Sequence, residues 1–125
     1  MDLARAFALV VAGLFTTTSA TFAAGCAPAD ASLAGHYYLH GVMEVGSELL
    51  LTADGRFRYM LAYGALDEAA EGCWSRKGDI VTLTPTRFEV SMDDPAKFQR
   101  LRLRVLPGGA LERKFGDTTG RYSQS

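Results

Sequence analysis

What most narrows the fold of this chain is its punctuation. From Gly35 onward, turn-forming glycine, proline and aspartate residues break the sequence into short pieces, at spacings of about eight to twelve residues. Within the pieces apolar and polar side chains alternate, and no long stretch carries an apolar stripe at helical spacing. The connections are too brief for parallel crossovers, so the pattern reads as an antiparallel all-β domain.

The strongest local signal is Asp54-Gly55, set between the apolar runs 47–53 and 56–63. Glycine accepts a positive φ without steric cost, so this dipeptide predicts a tight hairpin. In the second run Phe57, Tyr59, Leu61 and Tyr63 share one face, and Arg56, Arg58, Met60 and Ala62 share the other. Strand side chains alternate with period two, so the aromatic face is expected in the core. Upstream, 36–43 reads as the first strand. Downstream, 64–71 reads as a loop with a helical turn over 66–70, and 72–76 as a fourth strand. Lys77-Gly78 turns that strand into 79–84, and Pro85, lacking an N–H, is expected to end the pairing. A short edge strand at 88–92 and a turn at Asp93-Asp94-Pro95 follow. In 100–105 the side chains of Leu101, Leu103 and Val105 face one way, and Arg100, Arg102 and Arg104 the other. Pro107-Gly108-Gly109 leads into 110–115, and 121–125 supplies a last short strand. Seven or eight strands result. A closed barrel is preferred to a β-sandwich, because closure removes sheet edges and these strands carry few edge-blocking prolines.

The first 24 residues have a different character. Arg5 and an offsetting Asp2 precede an apolar run from Phe7 to Phe15, followed by small residues up to Ala24. This is the order of a secretory signal, and the apolar run is well short of the ~20 residues that span a bilayer. The chain therefore divides into a signal peptide over 1–24, an Ala/Pro-rich linker over 25–34 and one β domain over 35–125. A periplasmic or secreted location follows, with no transmembrane segment. The net charge of −1 gives no general attraction to nucleic acid.

Two cysteines, Cys26 and Cys73, fit export. Three readings stand: a disulfide between them, a lipid anchor on Cys26, because Ala23-Ala24-Gly25-Cys26 loosely matches a lipobox, or free thiols.

Several segments resemble the lipocalin-like (calycin-like) small barrels of the bacterial envelope. Leu33-Ala-Gly35-His-Tyr37 is similar to the Gly-x-aromatic opening of their first strand. Leu49-x-Leu51-x-x-Asp54-Gly55-x-Phe57 is similar to their recurrent hairpin. Gly72-Cys-Trp74 followed by Gly78-Asp-Ile80-x-x-Leu83 resembles their Gly-x-Trp strand and the hairpin after it. The stretch 33–85 also looks like a group of uncharacterised secreted bacterial proteins with a Tyr63-Gly-Ala-Leu-Asp67-Glu segment. The resemblance implies a small barrel that carries a ligand, and it assigns no residue a role. The Cys-x-x-Cys motif of copper-resistance lipoproteins of this barrel type is missing.

The residues offer little catalytic chemistry. His36 and His40 share a strand face, but their Cβ atoms stand about 13 Å apart at this spacing, too far to hold one ion. Asp67, Glu68 and Glu71 lack the spacing of a calcium loop. No Gly-x-Ser-x-Gly or comparable nucleophile motif occurs. The expectation is a non-enzymatic protein without metal or cofactor. Two functional readings remain. In the first, Tyr59, Tyr63 and Trp74 border the mouth of a pocket for a small apolar or lipid-like ligand. In the second, the core is filled and Arg100, Arg102 and Arg104 contact an anionic envelope component from the surface.

Overall fold

The computed structural model describes residues 25–94 and 97–124. The signal peptide expected over 1–24, Pro95 of the expected turn and Ser125 lie outside the described residues. The eight strands are β1 (Gly35–His40), β2 (Gly46–Leu51), β3 (Arg56–Tyr63), β4 (Leu66–Lys77), β5 (Ile80–Val90), β6 (Leu101–Val105), β7 (Leu111–Phe115) and β8 (Thr118–Ser123). Each pairs antiparallel with the next, and β8 returns to β1 through Leu39↔Tyr122, so the sheet closes as an up-and-down barrel.

Alternation decides what enters the barrel. Tyr37, Leu49, Leu51, Phe57, Tyr59, Leu61, Trp74, Val81, Leu83, Leu103, Leu111 and Tyr122 point inward and form one core. The Asp54-Gly55 hairpin forms as expected, with Gly55 at φ 87°. A side chain at Gly55 would also collide with the backbone: its Cβ would lie 1.9 Å from the carbonyl oxygen of Ala27.

Three strand readings need correction. The segment 64–71 is not a loop with a helical turn. Gly64 and Ala65 alone make the turn, and β4 starts at Leu66, paired to β3 through Tyr63↔Leu66 and Met60↔Ala69. Leu, Glu and Ala favour a helix locally, but cross-strand pairing on both sides overrides that propensity. Pro85 does not end the fifth strand either. β5 continues to Val90, with the register slipping between Glu71 and Gly72. At Pro85 the strand has already parted from β6, whose last partner is Leu83, so the missing N–H falls at a bulge. Lastly, β1 stops at His40 and β8 begins at Thr118, ahead of the expected 121.

The two barrel ends differ. At one end the N-terminal segment 25–34 packs across the opening instead of leading away from it. Its 3-10 turn, Ala31–Leu33, drops Leu33 into the core, where the Leu33 carbonyl accepts a 2.6 Å hydrogen bond from the Tyr37 hydroxyl. Ala29 N–H donates to the Ala53 carbonyl, and Arg76 pairs with Asp30 at 2.8 Å. The Cys26–Cys73 disulfide fastens this plug to β4. Its sulfur is thereby occupied, and one sulfur cannot also carry a thioether-linked lipid. The opposite end, where the described connecting residues 41–45, 64–65, 91–94, 97–100 and 116–117 lie, holds the candidate site.

Candidate functional site

The wall of the barrel is thinnest around β6. β5 pairs with β6 only over Ile80–Leu83, although it runs on to Val90. β6 in turn pairs with β7 only at Arg104 and Val105. Among the described residues, Arg113, Lys114 and Phe115 of β7 therefore have ladder partners on β8 alone. This seam in the ladder is filled by a residue that belongs to no strand. Phe98 is buried and packs edge-to-face on Phe88 at 4.9 Å and on Tyr59 at 5.1 Å between ring centres. Phe115 lies against the same cluster through Arg113.

Behind Phe98 lies a polar group of unusual composition for a barrel interior. Arg113 is only 6% exposed. It faces inward because β7 alternates, with Leu111, Arg113 and Phe115 on one side. Its guanidinium sits 4.2 Å over the Phe115 ring and 5.5 Å from the Tyr59 ring centre. Nη1 donates to two phenol oxygens, Tyr122 at 3.0 Å and Tyr59 at 3.2 Å. Each phenol passes its own proton onward. Tyr59 donates to Glu68 Oε1 at 3.0 Å, while Tyr122 and Ser47 share a 2.8 Å bond and Ser47 donates to the Met60 carbonyl. Two hydrogen-bond chains thus run outward from one cation.

Burial governs the ionisation of this group. Desolvation first, and then a hydrogen bond with Asp94, push the Glu68 carboxyl up to about 7 against the opposing pull of Tyr59 and Arg113. Desolvation also raises the Tyr59 phenol, which stays neutral. Among the described residues no acid lies within ion-pair distance of Arg113; the nearest link is the Tyr59 hydroxyl that separates it from Glu68. One buried polar atom of the group, Arg113 Nε, has no partner, whereas Glu68 bonds to both Tyr59 and Asp94. Native interiors satisfy nearly all such atoms, so an unpartnered guanidinium N–H stands out here.

The residues singled out from the sequence are dispersed. Tyr59 is in this cluster. Tyr63, expected inward on the same face, is instead 53% exposed, because the strand ends there and turns at Gly64. Trp74 is buried at the opposite, plugged end, where its indole N–H donates to the Thr52 carbonyl at 2.8 Å. These three do not border one mouth. Arg102 and Arg104 lie on the outer wall with Arg100 just ahead of β6, and Arg104 faces the cross-strand acid Glu112 at 3.4 Å. The expected acidic cluster is split by alternation, with Glu68 inside and Asp67 and Glu71 outside. His36 pairs with Glu48 at 2.7 Å on the outer wall. The residues missed from the sequence are Arg113, Tyr122, Ser47 and Phe98.

A groove of about 490 Å³ also lies on the outside of β2 to β5, floored by Leu50, Met60 and Ala69. Its rim charges largely satisfy one another, His36 with Glu48 and Arg87 with Glu89 at 2.7 Å, which leaves less for a ligand to complete. Among the described residues no group of three or more histidine, cysteine or acidic side chains is placed to hold a metal ion, and no helix is long and apolar enough to cross a membrane. Comparison with protein-family models, with curated proteins and with solved structures finds no match to this chain.

Proposed function

We propose that this protein is an exported, non-enzymatic binding module for a small lipid-like ligand, taken up through the seam beside β6. The observation that carries the reading is the Phe98 plug. A closed barrel of this size normally fills its own interior from its strands. Here a side chain from a connecting segment fills the interior at the point where the wall has lost its ladder, against an aromatic cluster of Tyr59, Phe88 and Phe115. An apolar side chain supplied by a connecting segment is one that an apolar ligand can replace, since the surface it covers stays covered. The leader-like segment 1–24, the disulfide and the lipocalin-like sequence pattern support the same reading.

Native mass spectrometry of the protein purified from a periplasm tests it. Extra mass that leaves on denaturation is the expected result. A clean polypeptide mass, together with no uptake of the uncharged probe N-phenyl-1-naphthylamine by either wild type or Phe98→Ala, overturns it.

A second reading has its own observation. The outer faces of β6 to β8 carry Arg102, Arg104, Lys114 and Arg121 against the single acid Glu112. That face suits an anionic envelope component, and binding there would weaken with added salt.

A further inference from the structure

We propose that the ligand is an amphipathic monocarboxylate whose carboxylate is received by Arg113, which the Tyr59 and Tyr122 hydroxyls hold in position. The inference rests on the binding reading above and names its ligand class. Arg113 is the one buried cation among the described residues, and no acid is placed to pair with it. A guanidinium does not give up its proton, so a buried one requires compensation. Aromatic faces supply some of that compensation, from Phe115 at 4.2 Å and from Tyr59 at 5.5 Å, yet Nε remains without an acceptor. A planar carboxylate fits the guanidinium fork and can accept from Nε. The two phenols accept from Nη1 at 3.0 and 3.2 Å and so fix the guanidinium with its Nε edge left for the ligand.

Charge count selects a monoanion. One arginine faces the position, and Glu68 and Asp94 stand close behind Tyr59. A dianionic phosphate would leave excess negative charge in the interior, whereas a single carboxylate balances Arg113 while Glu68 keeps its proton. The apolar part of the ligand has its place already, because Phe98 sits 5.8 Å from Arg113 and fills the seam in front of it. A molecule with a carboxylate at one end and hydrocarbon behind it would occupy the positions of both the missing acceptor and the plug.

The experiment compares dodecanoate with 1-dodecanol as displacers of N-phenyl-1-naphthylamine from the delipidated, oxidised protein at pH 6, where a fatty carboxylate is ionised and Glu68 is mostly protonated. These two differ at the head and share the tail. Dodecanoate is expected to bind about ten- to a hundredfold more tightly, the usual worth of a buried charge-assisted hydrogen bond. In Arg113→Met the preference is expected to disappear while dodecanol binding persists. Equal affinity of the two in wild type overturns the carboxylate assignment and leaves the binding reading intact. Binding of neither displacer nor probe overturns both. The wild-type ratio needs no variant, so it decides the matter even if Arg113→Met does not fold.

Discussion

Replacing Glu68 with glutamine tests whether the interior acid is held against its ionisation. Its carboxyl would ionise near 4.5 in an unfolded chain and is pushed up to about 7 in the barrel, chiefly by burial and then by the hydrogen bond with Asp94. Between these two values the folded state binds more protons than the unfolded one. Stability drawn from Glu68 is therefore complete below about pH 4.5, declines as the pH rises toward 7, and stays low above that. The separation corresponds to about 3 kcal/mol at pH 8, taking 1.36 kcal/mol for each tenfold change. The pull of Arg113 is already within that value; solvent screening of the carboxyl discounts it, so about 1–3 kcal/mol is expected. Glutamine keeps an acceptor for the Tyr59 hydroxyl, and its amide donates toward Asp94 where the acid's proton did. At pH 8 Glu68→Gln is accordingly expected to be more stable than wild type by about 1–3 kcal/mol, and at pH 4.5 the two are expected to agree within about 0.5 kcal/mol. Urea unfolding followed by Trp74 fluorescence, with the disulfide intact, measures both. Exposed acids such as Asp30 and Asp54 titrate equally in the two proteins and drop out of the difference. A difference that does not change between the two pH values would refute the argument. A wild type that gains on the variant as pH rises would do so more sharply, because Glu68 would then be an ionised partner of Arg113.

Three further outcomes follow from the fold. Cys73→Ala should lower the unfolding free energy by about 4 kcal/mol under oxidising conditions, from the loss of a 47-residue cross-link, and should change it little with reductant present; equal loss in both conditions would place the effect in packing. Gly72→Ala should destabilise by about 3 kcal/mol or more, since the new Cβ would lie 2.2 Å from the Thr84 carbonyl oxygen and 2.7 Å from Pro85 Cα, both backbone atoms at the bulge; a midpoint close to wild type would show that the bulge relaxes freely. Phe98→Ala should cost about 3 kcal/mol, as a buried aromatic does, and should increase uptake of N-phenyl-1-naphthylamine; a loss of stability without added uptake would make Phe98 an ordinary core residue.

The fold was legible where local chemistry and pairing agree. Asp54-Gly55 specifies its hairpin by itself, and the alternation of Leu101, Leu103 and Val105 with arginines places β6 correctly. It was not legible where pairing overrides local preference. Leu66-Asp-Glu-Ala-Ala70 is written in helix-forming residues, and only the ladder to β3 and β5 makes it a strand. Pro85 looks like a stop from within its own segment, and it is tolerated because β6 has already left that edge. Tyr63 follows the inward parity of its strand, yet its position is set by the turn that begins one residue later. The spread of Tyr59, Tyr63 and Trp74 over different ends of the barrel depends on register, which no single segment contains.

The interior cation, by contrast, was within reach of the parity rule that correctly placed the other arginines. In 100–105 the arginines alternate with the apolar residues, so the rule puts them outside. In 111–115 the apolar residues are Leu111 and Phe115, an even step apart, and Arg113 stands between them on their face. Burying Leu111 commits Arg113 to the interior, because a one-residue slip would expose both Leu111 and Phe115. The same reasoning holds for Glu68 once β4 is a strand, since burying Ala70 and Trp74 carries Glu68 inward with them. A short barrel strand that spends an inward position on a charge gives up core volume in a domain with little to spare. Arg113 and Glu68 occupy such positions on β7 and β4, and Tyr59 hydrogen-bonds to both. The charged interior is therefore a property of the strand registers, and it lies beside the stretch where the ladder around β6 is interrupted.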